Sequence, residues 1–108
     1  MPVFPPELAE CIGFDWDAGN ATKNWRRHRV TQTECEQVLL SAFALVTPDL
    51  RHSERENRFA ALGRTDAGRD LLVVFTIRGS LLRVISARQM SRRERVIYAK
   101  AQSRIQSP

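Results

Sequence analysis

The segment Leu71, Leu72, Val73, Val74, Phe75, Thr76, Ile77 constrains this chain more than any other, because it carries no charge and is rich in β-branched and aromatic side chains. Turn signals bound it on both sides, Asp66, Ala67 and Gly68 before it and Arg78, Gly79 and Ser80 after it. So short an apolar run between turns predicts a strand covered on both faces, at the centre of a sheet. Leu81 to Arg88 continues as the next strand, Arg58 to Arg64 alternates weakly before it, and Ala44 to Thr47 predicts a further strand stopped by Pro48 and Asp49. Short turns between neighbours make these strands an antiparallel meander of about three to four.

Helical signals flank the meander. Phe14, Asp15, Trp16 and Asp17 suggest a short edge strand running into an N-cap at Asp17; Ala21, Trp25 and His28 then share one helical face, with Lys23, Arg26, Arg27 and Arg29 opposite. Both tryptophans, Trp16 and Trp25, are expected in the core. Thr31 with Glu34 forms a capping box for a second helix, whose apolar stripe is Cys35, Val38, Leu39 and Ala42. Ser91 with Glu94 caps a last helix bearing Val96, Ile97, Tyr98, Ala101 and Ile105. The expected class is therefore α+β: two N-terminal helices, an antiparallel sheet and a C-terminal helix in one domain over residues 14–105. Residues 1–13, rich in proline, are expected to form a leader.

Composition narrows the function. In 108 residues, 17 Lys and Arg outnumber 12 Asp and Glu, a formal net charge of +5. Such a balance favours nucleic acid, an anionic membrane surface or an acidic protein. No apolar run approaches membrane-spanning length and no secretion signal opens the chain, so the expected location is the cytoplasm. Cys11 and Cys35 lack the close Cys and His spacing of a zinc site and read as reduced thiols, Cys35 in the core. His52, Glu54 and Glu56 fall in a charged connection without a third ligand at a telling distance, so no metal is expected there. Nucleotide-binding glycine loops, serine nucleophile motifs and metalloprotease helices are absent. No cofactor is expected.

The candidate functional residues are mostly cationic. Arg83 and Arg88 lie within an apolar strand and Arg58 at the start of another, whereas Lys23, Arg26, Arg27, Arg92 and Arg93 read as solvated helix cations suited to a phosphate backbone. Guanidinium groups remain charged and bind phosphate in a fork, so placing them in a strand is costly unless an anion or carboxylate answers them. Arg83 and Arg88 are an odd number of residues apart and face opposite sides of a regular strand; they serve one site only if the strand bulges or ends early. Arg88 has a structural alternative, an ion pair with Glu94. His28 is the side chain best suited to exchange a proton near neutral pH, although on a stripe with Trp25 it reads more readily as a packed, hydrogen-bonded residue. Tyr98 is either a contact for phosphate or base, or a core aromatic with a wet hydroxyl.

Taken in order, Phe14, Asp15, Trp16, Asp17, then Asn24, Arg26, Arg27, His28, Val30, then His52, Ser53, Glu54, Arg58, Gly63, the run Ile85, Ser86, Ala87, Arg88, and finally Glu94, Arg95 and Tyr98 resemble the BrnT family of bacterial toxins. The likeness spans roughly residues 14–100. It implies a type II toxin with a RelE-like fold that cleaves RNA and halts translation, and a partner antitoxin, BrnA-like and of the ribbon-helix-helix class. That complex, rather than the toxin alone, would bind operator DNA. A metal-free ribonuclease needs a base for the ribose 2′-hydroxyl, cations for the phosphorane and an acid for the 5′-oxygen. On this expectation His28 is the base or acid, with Glu54 or Glu56 in reserve, Arg58, Arg83 and Arg88 stabilise charge, and Tyr98 stacks or positions. Arg29 stands where the family has glycine after the histidine, and Gln32 replaces an aromatic. Two other classes remain open, a non-catalytic nucleic-acid-binding regulator and a module that docks an acidic partner.

Overall fold

The apolar run 71–77 forms the middle of a five-stranded sheet because each of its flanks has a partner strand within a tight turn. The computed structural model describes residues 10–49 and 57–106, with side chains to residue 104. Along the chain the elements are β1 (Gly13–Phe14), α1 (Ala18–Ala21), α2 (Lys23–His28), α3 (Gln32–Leu40), β2 (Leu45–Pro48), β3 (Arg58–Arg64), β4 (Asp70–Arg78), β5 (Leu81–Gln89) and α4 (Arg92–Gln106). The sheet order is β1-β5-β4-β3-β2. The class is α+β, as expected, and the edge strand expected at Phe14 forms as β1, which pairs parallel to β5, Gly13 with Leu81 and Phe14 with Leu82, as a fifth strand beside the meander of β2 to β5. Gly68 (φ +90°) and Gly79 (φ +60°) supply the left-handed residues that the two hairpin turns require.

One face of the sheet holds the main core. Leu71, Val73 and Phe75 of β4, Ala61 of β3 and Leu82, Val84 and Ala87 of β5 pack against Val30 and against Cys35 and Val38 of α3. Phe75 stacks on its cross-strand partner Phe59, ring centroids 5.6 Å apart. Gly63 lets α3 lie close to β3, since a Cβ there would fall 2.8 Å from Val38 Cγ1. Cys35 is buried and its thiol is pushed up to about 12 by that burial, so it acts as a small hydrophobe. Neither it nor Cys11 is in a disulfide.

The N-terminal helical region departs from expectation. Instead of one helix before α3 there are two, divided at Thr22. Asp17 caps α1 as expected, accepting hydrogen bonds from the Gly19 and Asn20 amides. The inward residues are Asn20 and Asn24, both buried, and Trp25 is 47% exposed rather than in the core. The Trp25 ring instead lies beneath the Arg29 guanidinium, 5.1 Å from its centroid. Arg29 ends α2 with φ 55° and ψ 42°, the left-handed conformation that glycine adopts without strain. Trp16 does pack against the core, its Nε1 donating to Glu36 Oε2 at 2.9 Å.

On the other face α4 crosses one end of the sheet. Tyr98 and Ala101 pack on Leu45, Leu62, Leu72 and Met90, and Gln102 Nε2 donates to the Phe43 carbonyl oxygen beyond the start of β2. The capping box at Ser91 and Glu94 forms as expected, Ser91 N donating to Glu94 Oε1 and Glu94 N to Ser91 Oγ. No helix among the described residues is long and apolar enough to cross a membrane.

Candidate nucleic-acid interface

Directly opposed residues of neighbouring strands share a face, so the register identifies what lies beside α4. Leu45, Leu62, Leu72 and Arg88 form one row; Thr47, Ala60, Val74 and Ser86 the next; Arg58, Thr76 and Arg83 the third. The first row lies under α4 at its apolar end. In the second, Ala60, Val74 and Ser86 are half-buried, and in the third two arginines flank a buried threonine.

Arg83 and Arg88 share this face because β5 is irregular. Val74 pairs with Ser86 but Phe75 with Val84, leaving Ile85 as an extra residue in β5. Arg83 opposes Thr76 and Arg88 opposes Leu72, four residues apart on β4 and therefore on one side, roughly 13 Å apart along the strand. Regular alternation alone predicted opposite sides.

Both strand arginines are answered by carboxylates. Arg88 Nη1 donates to Glu94 Oε1 at 2.7 Å and Nη2 to Oε2 at 2.9 Å, the fork pair named as its structural alternative. Arg83 Nη1 lies 2.9 Å from Asp17 Oδ2 and 3.4 Å from Asp15 Oδ1, within ion-pair range but off the alignment of a hydrogen bond. The Arg83 guanidinium holds the Asp17 carboxyl below its usual range, and Arg88 does the same for Glu94 against the upward push of burial. Thr76 Oγ1 donates to the Asn57 carbonyl at 2.7 Å, anchoring the approach to Arg58.

The Glu94 pair has a measurable consequence. Its folded-state pKa lies below the unfolded one, so its contribution is complete above the unfolded value of about 4.3 and is lost as pH falls through the folded value. With Arg88 40% exposed and Glu94 22%, solvent screening limits that contribution. Glu94→Gln is expected to lower stability by about 1 kcal/mol at pH 7, cap included, with the gap closing towards pH 3. Urea denaturation of both proteins at the two pH values checks this; a gap independent of pH would show that the carboxylate charge does not matter.

The remaining candidates are dispersed. His28 is exposed at the end of α2, and its side chain makes no hydrogen bond or ion pair with another described residue. It belongs to a helix packed along β5, one turn beyond Asn24, which contacts Ala87. Lys23, Arg26 and Arg27 on α2 and Arg92 and Arg93 at the start of α4 are all exposed. Because α2 runs beside β5 and α4 begins just after it, these cations flank the strand's C-terminal end. Tyr98 is 6% exposed, and burial raises its phenol pKa. It lines a groove on the Arg64 and Asp70 side of α4 with Phe43, Arg64, Asp70 and Arg95. His52, Glu54 and Glu56 lie outside the described residues.

Sequence reasoning assigned no structural part to Asn20, Asn24 or Thr76. The legible signal was two asparagines four residues apart in a stretch of helical pattern, where their low helix propensity requires a use for the amides.

The fold and this face define a small basic α+β domain with guanidinium groups on an otherwise mild sheet surface. The sequence profile of the ribonuclease toxin BrnT of type II toxin-antitoxin systems matches residues 16–94. The chain therefore belongs to the BrnT family of ribonuclease toxins. A crystal structure of the Brucella abortus ribonuclease toxin BrnT is similar with a TM-score of 0.57 and 26% sequence identity, over 75% of this chain and 99% of that one. No curated protein matches.

Proposed function

We propose that this protein is a metal-independent endoribonuclease whose substrate lies along the sheet face beside α4. The observation that carries the reading is the cross-strand row Arg58, Thr76, Arg83, with Arg88 on the same side of the sheet. In the proposed reaction a base removes the ribose 2′-hydroxyl proton and the oxygen attacks the adjacent phosphorus. The P–O5′ bond then breaks, leaving a 2′,3′-cyclic phosphate and a 5′-hydroxyl that takes a proton from the acid. Arg58, Arg83 and Arg88 stabilise the charge on the phosphorane. His28 serves as base or acid, with Glu54 in reserve, and Tyr98, on the sheet-facing side of α4, stacks on or positions neighbouring groups. Lys23, Arg26, Arg27, Arg92 and Arg93 supply contacts to the RNA backbone.

The reading extends to the cell. The domain is RelE-like, acts in the cytoplasm and inhibits translation by destroying RNA. A BrnA-like ribbon-helix-helix antitoxin neutralises it, and operator DNA is bound only through that complex. Expression of the chain without its antitoxin is expected to arrest growth with loss of RNA. The purified protein is expected to cut RNA in EDTA and leave cyclic phosphate ends, and His28→Ala to slow cleavage by about 100-fold. Intact RNA together with sequence-selective DNA binding would instead establish the regulator. Wild-type cleavage by His28→Ala would move the proton transfer to another residue, Glu54 first.

A further inference from the structure

We infer that Asn20 and Asn24 are positioning residues that select the bulged register of β5 and so hold Arg83 and Arg88 on one face. The inference rests on the proposal that this face meets RNA. Among the described residues, no strand lies beside the outer edge of β5 beyond the short β1, and the two asparagines occupy that place. Asn20 Nδ2 donates to the Val84 carbonyl oxygen at 3.0 Å and to that of Asp15 at 3.0 Å, while its Oδ1 accepts from Asp17 N at 2.8 Å. Asn24 Oδ1 accepts from Ala87 N at 2.9 Å.

The spacing of these contacts carries the argument. In a regular strand the outward backbone groups recur every second residue, so after Leu82, whose carbonyl oxygen accepts from Asp15 N, come Val84 and then Ser86. Here the outward positions are Val84 and Ala87, because Ile85 is the extra residue. The asparagines therefore grip one group on either side of the bulge. In an unbulged register the Ala87 N–H points at β4, and Asn24 Oδ1 is left buried without a donor. Asn24 also buries its Nδ2 with no acceptor among the described residues. An apolar side chain of similar shape would avoid that cost, so the acceptor oxygen is the reason for an amide here.

Two measurements test this. In the wild-type protein the Ala87 amide is expected to exchange as slowly as the amides of β4; exchange at the rate of an unprotected edge would overturn the inference. In Asn24→Ala the close cross-strand Hα contact between Val73 and Ala87 is expected to weaken in NMR spectra, and in Asn24→Asp, which keeps the acceptor, to persist. Persistence in both variants would mean that apolar patterning alone holds the bulge, and would overturn it. The RNA arm is separate. The slope of log affinity against log salt is expected to fall by about one in Arg88→Ala and in Asn24→Ala, with no further fall in the double variant. An unchanged slope in both Arg83→Ala and Arg88→Ala would sink the RNA face, while exchange and NMR would still decide the register.

Discussion

Arg83→Ala is expected to slow RNA cleavage by about 100-fold, equivalent to about 2.7 kcal/mol of transition-state stabilisation. Arg83 projects from the third row of the sheet face, beside Thr76 and in line with Arg58, with its guanidinium held at Asp17 and Asp15. Its carboxylate neighbours Asp15 and Asp17 keep it from standing as an uncompensated half-buried charge. The planar fork is expected to matter as well as the charge, so Arg83→Lys is expected to recover only part of the rate. Asp17→Asn, which leaves the arginine in place, is expected to cleave at least as fast as the wild type. Single-turnover cleavage of a short RNA by the three variants, with circular dichroism to confirm folding, is the measurement. Full activity in Arg83→Ala would remove this row from the mechanism.

Phe75→Ala is expected to cost about 3–5 kcal/mol, most of the stability of a small domain. Phe75 is fully buried at the centre of β4, stacked on Phe59 and opposite Val84, beside the extra residue of β5. Its removal opens a cavity that Val73, Val84 and the helices cannot fill without breaking the sheet register. The melting temperature is expected to fall by more than about 10 °C. Phe75→Leu, which keeps much of the volume, is expected to lose far less. Calorimetry of the two variants checks the order; an alanine variant within 1 kcal/mol of the wild type would be incompatible with this core.

Several elements were legible because their causes are local. The run 71–77, the glycine turns at 68 and 79, and the capping boxes at Thr31 and Ser91 each depend on residues within a few positions, and each forms where the pattern places it. The pairing of Arg88 with Glu94 was likewise readable, since a strand end followed by a capped helix brings those two together. Trp25 was misplaced because an apolar stripe in so short a helix is weak evidence. The two amides took the inward positions, where the unpaired edge of β5 offered a carbonyl and an N–H that no apolar group could satisfy. The candidate site was legible as a set of residue types and much less as an arrangement. Arg58 and Arg83 share a row, Arg88 lies further along the same face, and His28 stands at the end of a helix beside the sheet edge.

The family, the α+β class and the central strand follow from the order of side chains alone, since hydrophobic period, turn chemistry and cap spacing act over short stretches of chain. The parallel joining of β1, the extra residue in β5 and the common face of Arg83 and Arg88 involve residues some sixty to seventy positions apart, Phe14 with Leu82, Asn20 with Val84 and Asn24 with Ala87. Such pairings depend on which backbone groups remain unsatisfied once the strands have assembled, and that is a property of the folded chain.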